Sequence, residues 1–326
     1  MEPVSESWTV AAVVDDRGRF QLLNFSAPTL YAVPVTAPGR ALLATCSVTD
    51  AHVHLFPPRV FAAIWRWFDR HAWPVRYRLE ARECARFLLD RGVARIVALP
   101  YAHVPGMAAA LNRFVTDLAA EDPRILPGAT VLPGEPGARA VLDEALGPLG
   151  SRAVKIHCHV MCVAPDDPRL DDVYDAAAAH GAPVVIHAGD APATPGYRCD
   201  VKALCTPDAL GRALARHPRT TVLVPHLGAE RMEEVAALLA RHDNLWLDTT
   251  MAIAGYLPGA ERALAVVRAH PERILYGTDF PNVPYPWDRE LEALAGAGLP
   301  EPALRAILAG NAARLFPPRQ DEGQAE

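Results

Sequence analysis

Short apolar runs alternate with longer segments of helical periodicity along most of this chain. The apolar runs with the length and composition of β-strands are SVTDAHVH, ARIVALPY, ILPGATVLPG, AVKIHCH, PVVIHAGD, TVLVPHLG, NLWLDTT and RILYGTDFP. Between them, segments such as RLEARECARFLLDRG and RMEEVAALLARHD place apolar residues at helical spacing. Strands that are apolar throughout are typical of a parallel sheet buried on both faces. The pattern therefore predicts an α/β fold with eight β-then-α units.

Eight such units indicate a (β/α)8 TIM barrel, and 326 residues are enough for a single barrel core. An open, doubly wound sheet is the rival architecture. The glycine-rich phosphate-binding turn expected after the first strand of such a sheet is absent from the sequence. We therefore assign residues 46–317 to a barrel domain.

The regions on either side of the predicted barrel carry different patterns. Near the amino terminus, WTVAAVV and RFQLLNF flank the turn residues DDRG, which predicts a β-hairpin. The proline-rich stretch APTLYAVPVTAPGR follows as an irregular connection, so residues 1–45 are expected to form a small N-terminal annex. Residues 318–326 are polar and are expected to form a disordered tail.

Charge and composition argue against several classes of partner. The formal net charge is −6, which provides no broad positive field for nucleic acid or anionic membranes. A signal peptide pattern is lacking, and no apolar run approaches the roughly 18 residues of a membrane span, so we expect a cytoplasmic protein. The cysteines are expected to be free thiols, and their spacing is too loose for a zinc knuckle: Cys46, Cys84, Cys158, Cys162, Cys199 and Cys205.

Metal-binding side chains concentrate at the carboxyl ends of the predicted strands, where barrel enzymes place their active sites. They are His52 and His54 on the first strand, Lys155, His157 and His159 on the fourth, His187 on the fifth, His226 on the sixth and Asp279 on the eighth. Imidazole and carboxylate donors can replace the water shell of a divalent ion. A buried histidine alone is often a hydrogen-bonded core residue, so both interpretations stay open for His226.

The motif DAHVH, the single histidines that end the fifth and sixth strands, and the motif GTDFP resemble the amidohydrolase superfamily. The resemblance is greatest to its amidohydrolase-related branch, whose hydrolases and decarboxylases include proteins similar to aminocarboxymuconate semialdehyde decarboxylase. It spans residues 48–316, including a similar last helix, ALRAILAGNAARLF. The resemblance implies that His52, His54, His187 and Asp279 bind one divalent metal ion. Zinc suits nitrogen-rich ligation, although manganese, iron or cobalt also fit.

The resemblance also implies catalytic roles for Asp279 and His226. The metal ion would lower the pKa of a bound water from about 15.7 to about 7. Asp279 would take that proton and pass it to a leaving group, while His226 would polarise a carbonyl or hold an oxyanion. Asp50 is expected to lie one repeat deeper on the same strand face in a hydrogen-bonding role. Some relatives carboxylate the lysine that corresponds to Lys155 to bridge two metals, but we expect a mononuclear site.

Four residues are candidates for substrate binding. Lys155 and His157 follow the fourth strand, and either could orient a substrate. Arg59 could pair with a substrate carboxylate, and Trp65 could form part of an apolar wall in a loop after the first strand. The alternatives are a solvated surface arginine and an ordinary packed tryptophan.

Three functions fit these residues. Hydrolysis of an ester, amide or lactone comes first, because an activated water beside a carboxylate suits attack on a carbonyl. Non-oxidative decarboxylation of an unsaturated or aromatic acid uses the same ligands, and a convergent arginine with an aromatic wall would favour it. A non-catalytic metal-binding barrel is disfavoured by the full ligand set. We expect a small-molecule substrate and a homo-oligomer, with a dimer as the simplest state.

Overall fold

The computed structural model describes residues 9–14, 20–25, 38–190 and 194–317. The chain divides into two compact units, residues 1–37 and 38–326. In the first unit, strands β1 (Thr9–Val14) and β2 (Phe20–Phe25) pair antiparallel, which confirms the predicted hairpin. The predicted tail at residues 318–326 and residues 27–37 of the predicted connection lie outside the described residues.

The second unit is a barrel of parallel strands, as the apolar runs predict. Within the described residues its strands are β3 (Thr49–Val53), β4 (Arg95–Ala98), β5 (Ile125–Thr130), β6 (Ala153–Ile156), β7 (Val184–Ile186), β8 (Val222–Val224), β9 (Leu245–Asp248) and β10 (Ile274–Leu275). Each strand pairs in parallel with the next in sequence, from β3 to β10. The ends of the sheet meet where Val53 bridges Phe280 and where the backbone N–H of Asp279 donates to the His52 carbonyl at 2.9 Å.

Helices follow the strands and cover the outside of the sheet. The described α-helices are α1 (Pro38–Thr45), α2 (Pro58–His71), α3 (Ala81–Leu89), α4 (Ala108–Glu121), α5 (Ala138–Leu146), α6 (Cys158–Met161), α7 (Asp171–Ala179), α8 (Val201–Leu204), α9 (Pro207–Arg216), α10 (Met232–Ala237), α11 (Ala260–Ala269), α12 (Arg289–Ala295), α13 (Glu301–Arg305) and α14 (Asn311–Leu315). Short 3-10 turns and one π-helical turn at Ala306–Gly310 join some of them. Among the described residues, no helix is long and apolar enough to cross a membrane.

The core has two layers because successive strand residues face opposite sides of the sheet. On β8, Val222 and Val224 pack outward against the helices, while Leu223 packs inside the barrel. Ala312, Leu315 and Phe316, from α14 and the residue after it, join the inner cluster. Polar side chains on this inner face must therefore find partners inside the barrel.

Helix α1 begins within the stretch that the proline pattern predicted as an irregular connection and overlaps it at residues 38–40. It packs against α12, where the Gly39 backbone N–H donates to Glu292 at 3.0 Å and the Arg40 side chain pairs with Asp288 at 2.6 Å. The compact unit that contains the barrel therefore begins at residue 38, earlier than the predicted residue 46.

Candidate metal centre

Three predicted metal ligands converge at the carboxyl end of the barrel. Oδ1 of Asp279 lies 2.9 Å from Nε2 of His54 and 3.6 Å from Nε2 of His52. Ligand atoms of these three residues all lie within 4.8 Å of one another, and all three residues are buried. Two donors bound at about 2.1 Å to one tetrahedral ion are separated by similar distances. The donor set therefore fits a divalent ion.

The far ring nitrogens of these histidines are bound to acceptors. Nδ1 of His52 bonds to Oδ2 of Asp248 at 3.0 Å, and Nδ1 of His54 donates to the Leu99 carbonyl at 2.7 Å. A proton at Nδ1 leaves an unprotonated Nε2, which is the form that binds metals. These hydrogen bonds therefore orient each ring and direct a lone pair towards Asp279.

Asp248 is a site residue that the sequence analysis missed. Its Oδ1 accepts hydrogen bonds from the backbone N–H groups of His226 and Thr250, at 3.1 and 3.0 Å. Its Oδ2 bonds to the His52 ring. One buried carboxylate therefore holds both a side chain at the end of the first barrel strand and the backbone at the end of the sixth. The motif NLWLDTT carried a signal for Asp248, because residues two apart on a strand face the same side of the sheet. Trp246 packs inside the barrel, so Asp248, two residues later, points inside as well.

Strand β3 departs from strict alternation beside the site. Its pairing with β4 shifts register between Asp50 and Val53, and Ala51 belongs to the inner cluster. An irregularity of this kind redirects the side chains beyond it. Asp50 accepts hydrogen bonds from the backbone N–H of His52 at 3.1 Å and from the Thr278 hydroxyl at 2.6 Å, which matches its predicted hydrogen-bonding role.

Close backbone packing brings the eighth strand against the first. A Cβ atom at Gly277 would lie 2.5 Å from the Thr250 hydroxyl and 3.0 Å from Cβ of His52, so only glycine fits. Two residues later, Asp279 adopts a φ of 69°, which a non-glycine residue rarely takes. Such strain is often stored at functional sites.

The remaining predicted histidines form a row of rings beside this group. His187 lies 4.8 Å from His226 between ring centroids, and His226 lies 5.8 Å from His52. His157 stacks on His187 at 4.6 Å, with an interplanar angle of 8°. His187 is therefore near the metal-binding group, although its nitrogens are not within the 4.8 Å set, and its role as a ligand stays a prediction.

His226 occupies a strained turn after β8. Residues 226 to 229 all have positive φ, and Nδ1 of His226 donates to the Thr250 carbonyl at 2.9 Å. A neutral His226 can therefore accept but not donate a hydrogen bond at Nε2. The predicted polarisation of a carbonyl by this residue requires an additional proton at Nε2.

Lys155 extends into the barrel interior from β6. Its Nζ lies 3.4 Å from Nε2 of His52, and its side chain is buried. Burial lowers the pKa of Lys155 to about 8, against the opposing effect of the Asp248 and Asp279 carboxylates. Lys155 is therefore in contact with a candidate metal ligand, and its substrate-binding role stays a prediction.

Burial also shifts the other titratable groups. It lowers the pKa of His52, His187 and His226 below the usual range and so favours neutral rings. For Asp279, burial alone would raise the pKa, but the close contact of Oδ1 with the His54 ring and the neighbouring His52 and His226 imidazoles hold this pKa below its ordinary value. Neutral imidazoles and an ionised carboxylate are the protonation states required of metal ligands.

A cavity of about 390 Å³ opens beside the histidine row. Its lining includes Ile64, Trp67, Phe68, Tyr101, Val104, His103, His157, His159, Tyr197 and Arg198. Tyr101 connects it to the metal centre, because its ring lies 5.4 Å from the His54 ring. The cavity therefore combines an aromatic wall with one guanidinium group.

Two predicted substrate-binding residues lie elsewhere. The segment that carries them is helix α2 rather than a loop, and its Ala63, Ile64, Trp67 and Phe68 face the cavity. Arg59 is exposed on the first turn of the helix, and Trp65 stacks on Phe61 at 5.3 Å. The helical periodicity of α2 places Arg59 and Trp65 on faces that do not contribute to the described cavity lining. The predicted residue His157 lines the cavity, together with Trp67 and Arg198.

Comparisons with known proteins agree with this architecture. An uncharacterised TIM-barrel protein from Bordetella bronchiseptica has a TM-score of 0.62 at 23% identity, covering 82% of this chain and 98% of that one. For 5-carboxyvanillate decarboxylase from Sphingomonas paucimobilis, the TM-score is 0.60 at 20% identity, with 82% and 98% covered. A probable 2-pyrone-4,6-dicarboxylic acid hydrolase from Acinetobacter baumannii gives 0.55 at 15% identity, with 83% and 99% covered.

These structural similarities establish the (β/α)8 barrel fold. No curated protein matches the chain. A family model described as amidohydrolase matches residues 49–317, which is most of the chain and contains every residue of the candidate metal centre. The chain belongs to the amidohydrolase family of enzymes.

Proposed function

We propose that this chain is a metal-dependent hydrolase whose single divalent ion is held by His52, His54 and Asp279, with His187 as a fourth ligand. The convergence of both Nε2 atoms on Asp279 Oδ1, at 3.6 and 2.9 Å, carries the proposal. Nitrogen-rich ligation favours zinc, and manganese, iron and cobalt accept the same donors.

The residues around the ion have distinct tasks in hydrolysis of an ester, amide or lactone. A divalent ion held there supplies a Lewis acid and lowers the pKa of water. The Asp279 carboxylate accepts the proton of the attacking water and returns it to the leaving group. Nε2 of His226 orients that water by accepting a hydrogen bond, because its Nδ1 is committed to the Thr250 carbonyl. Asp248 keeps His52 and the backbone of His226 in position.

Decarboxylation is the second candidate, and the cavity favours it. Trp67, Tyr101 and Tyr197 provide the aromatic wall, and Arg198 provides a cation that can pair with a carboxylate. These are the two features that the sequence analysis named in favour of this reaction. The same cavity can also bind the acidic portion of a lactone or ester, so hydrolysis remains first.

Parallel substrate panels distinguish the two reactions. Metal-loaded protein is assayed for hydrolysis of esters, amides and lactones, and for carbon dioxide release from aromatic and unsaturated acids. We expect hydrolysis of at least one carboxylated lactone or ester, abolished in Asp279→Asn. Carbon dioxide release without hydrolysis would replace the first candidate with the second, and inactivity on both panels would contradict the proposal.

We also propose a cytoplasmic homodimer that acts on a small molecule. The formal net charge of −6, which offers no broad positive field to anionic membranes, supports this location. Size-exclusion chromatography with light scattering measures the oligomeric state, and a monomer at all concentrations would contradict it.

A further inference from the structure

Two partly exposed thiols converge beside the cavity on a single backbone carbonyl. Sγ of Cys199 donates to the His159 carbonyl at 3.4 Å, and Sγ of Cys162 donates to the same oxygen at 3.7 Å. Cys162 follows α6 with a φ of 52°, and Cys199 lies two residues before α8. These two helices are in contact, so both cysteines sit at one junction.

The cavity segment, residues 194–200, leads into this junction. Within it, Gly196, Tyr197 and Arg198 line the cavity, and the Trp67 indole donates to the Gly196 carbonyl at 3.4 Å. The Tyr197 ring lies 4.9 Å from the Trp67 ring and 5.1 Å from the His159 ring. The segment therefore spans from α2 to α6 across one wall of the cavity, and Cys199 is near its end.

We propose that Cys162 and Cys199 form a dithiol modification site, which low-molecular-weight disulfides oxidise to an intramolecular disulfide that fixes the cavity segment to α6. The site is separate from the metal centre. Within the part of the chain that the structure describes, the donor group that could hold a metal consists of His52, His54 and Asp279, and it includes no cysteine. Thiol exchange, rather than metal ligation, is therefore the chemistry that this pair offers.

The exchange balances in two steps. One thiolate attacks the small disulfide, forms a mixed disulfide and releases one small thiol. The second protein thiolate then attacks the protein sulfur of the mixed disulfide, forms the Cys162–Cys199 bond and releases a second small thiol. Two electrons pass to the oxidant, and the two protein protons leave with its two thiols.

The surroundings distinguish this pair from the other cysteines of the barrel unit. Cys84, Cys158 and Cys205 are buried, whereas Cys162 and Cys199 are partly exposed. Cys46 is also partly exposed, but it follows α1 and is far along the chain from the cavity segment. Burial and the neighbouring Cys162 thiol raise the pKa of Cys199 to about 12, so oxidation should be slow at neutral pH and faster in alkaline buffer.

Wild-type protein is first incubated with oxidised glutathione over a range of ratios to reduced glutathione. Peptide mapping under non-reducing conditions is expected to show a Cys162–Cys199 link that dithiothreitol reverses. Cys162→Ser and Cys199→Ser should each stop at a glutathione adduct, and Cys46→Ser should behave as wild type. Adducts on wild type without a link, or links that join other cysteines, would overturn the proposal.

Amide hydrogen exchange then tests the effect on the cavity segment. In the oxidised wild-type protein, exchange in residues 194–200 is expected to slow by about tenfold, because a cross-link suppresses local opening. Exchange in α11, remote in sequence from both cysteines, is the internal control. An unchanged exchange rate in the cavity segment would overturn the claim that the disulfide fixes this segment. Neither measurement requires a substrate, so the result is independent of the proposed reaction.

Discussion

Hydrogen bonds at the far ring nitrogens determine which atoms the site histidines present. His52, His54 and His226 each bond through Nδ1, to Asp248, the Leu99 carbonyl and the Thr250 carbonyl respectively. All three rings therefore present Nε2 to the interior of the site. Ligation by the preset rings of His52 and His54 avoids the entropic cost of ordering them when an ion binds, and the preset ring of His226 can accept a hydrogen bond at Nε2.

The role of Asp248 is tested by Asp248→Asn. This change removes the negative charge that fixes the proton at Nδ1 of His52, and we expect a 10–100-fold loss of metal affinity. Competition with a fluorescent zinc chelator measures the affinity. Asp243→Asn is the control, because the Asp243 side chain is fully exposed. Equal affinities for both variants would show that Asp248 has no supporting role.

Arg198 and Arg59 form a matched pair for testing carboxylate recognition. Arg198 lines the cavity, whereas Arg59 is exposed on α2. With a carboxylated substrate from the panels, Arg198→Gln is expected to raise KM about tenfold with little effect on kcat, as for loss of one charge-assisted hydrogen bond. Arg59→Gln should leave KM unchanged. The reverse result would support the substrate-binding role that the sequence predicts for Arg59.

Some residues of the site were predictable from local spacing, and others were not. His52, His54 and Asp279 stand at strand ends, where alternation and strand order alone bring their side chains to one edge. Arg198 lies in a long loop whose path depends on contacts with Trp67 and His159, and no local pattern encodes such contacts. The orientation of Arg59 depends on where α2 begins, which is among the least certain features of a sequence.

At the scale of elements, helix α2 shows why the cavity wall was only partly predicted. In the sequence-based prediction, Trp65 lies in a loop after the first strand. Pro58 instead takes the first helical position, where its missing N–H costs nothing. Helical spacing then directs Ile64, Trp67 and Phe68 to the cavity. The aromatic wall was foreseen, but not the residues that form it.

Helix α12 carries a buried acid that makes stability depend on pH. Glu290 is fully buried, and the Tyr285 hydroxyl donates to its Oε1 at 2.6 Å. Burial raises the pKa of Glu290 to about 8 from 4.5. The folded state then holds this proton more tightly than the unfolded state. The contribution to stability is complete below pH 4.5 and is lost as the pH rises through about 8.

Replacement of Glu290 by an uncharged residue should weaken the pH dependence of folding stability. We expect Glu290→Gln to lose much less stability than wild type between pH 5 and 9, with a difference on the order of a few kcal/mol at pH 9. Glutamine keeps an oxygen that accepts from Tyr285 and carries no charge. Denaturant unfolding at several pH values measures the difference. Parallel curves for the two proteins would contradict the raised pKa.

At the scale of the molecule, closure of the barrel makes the site. His52 and Asp279 are separated by most of the sequence, yet the Asp279 backbone N–H donates to the His52 carbonyl at 2.9 Å. The count of apolar runs predicted this closure, because eight parallel strands complete a barrel. The register shift of β3 and the positive φ of Asp279 were not predictable, since both depend on packing between distant strands.

Metal binding at this closure should stabilise the whole barrel. A ligand that binds only the folded state adds about 2.7 kcal/mol at a free concentration one hundred times its Kd. We therefore expect chelation to lower the Tm, and added zinc to restore it. His54→Ala should show no response to either treatment. An equal response in that variant would place the effect outside the proposed centre.

The most direct test of the central claim is the metal content of purified protein, measured by inductively coupled plasma mass spectrometry. The account predicts one divalent ion per wild-type chain, and loss of that ion in His52→Ala, His54→Ala and Asp279→Asn. His180→Ala, which changes an exposed histidine, should retain it. A wild-type protein that stays metal-free after exposure to zinc, manganese, iron and cobalt would contradict the account, as would full metal content in the three site variants.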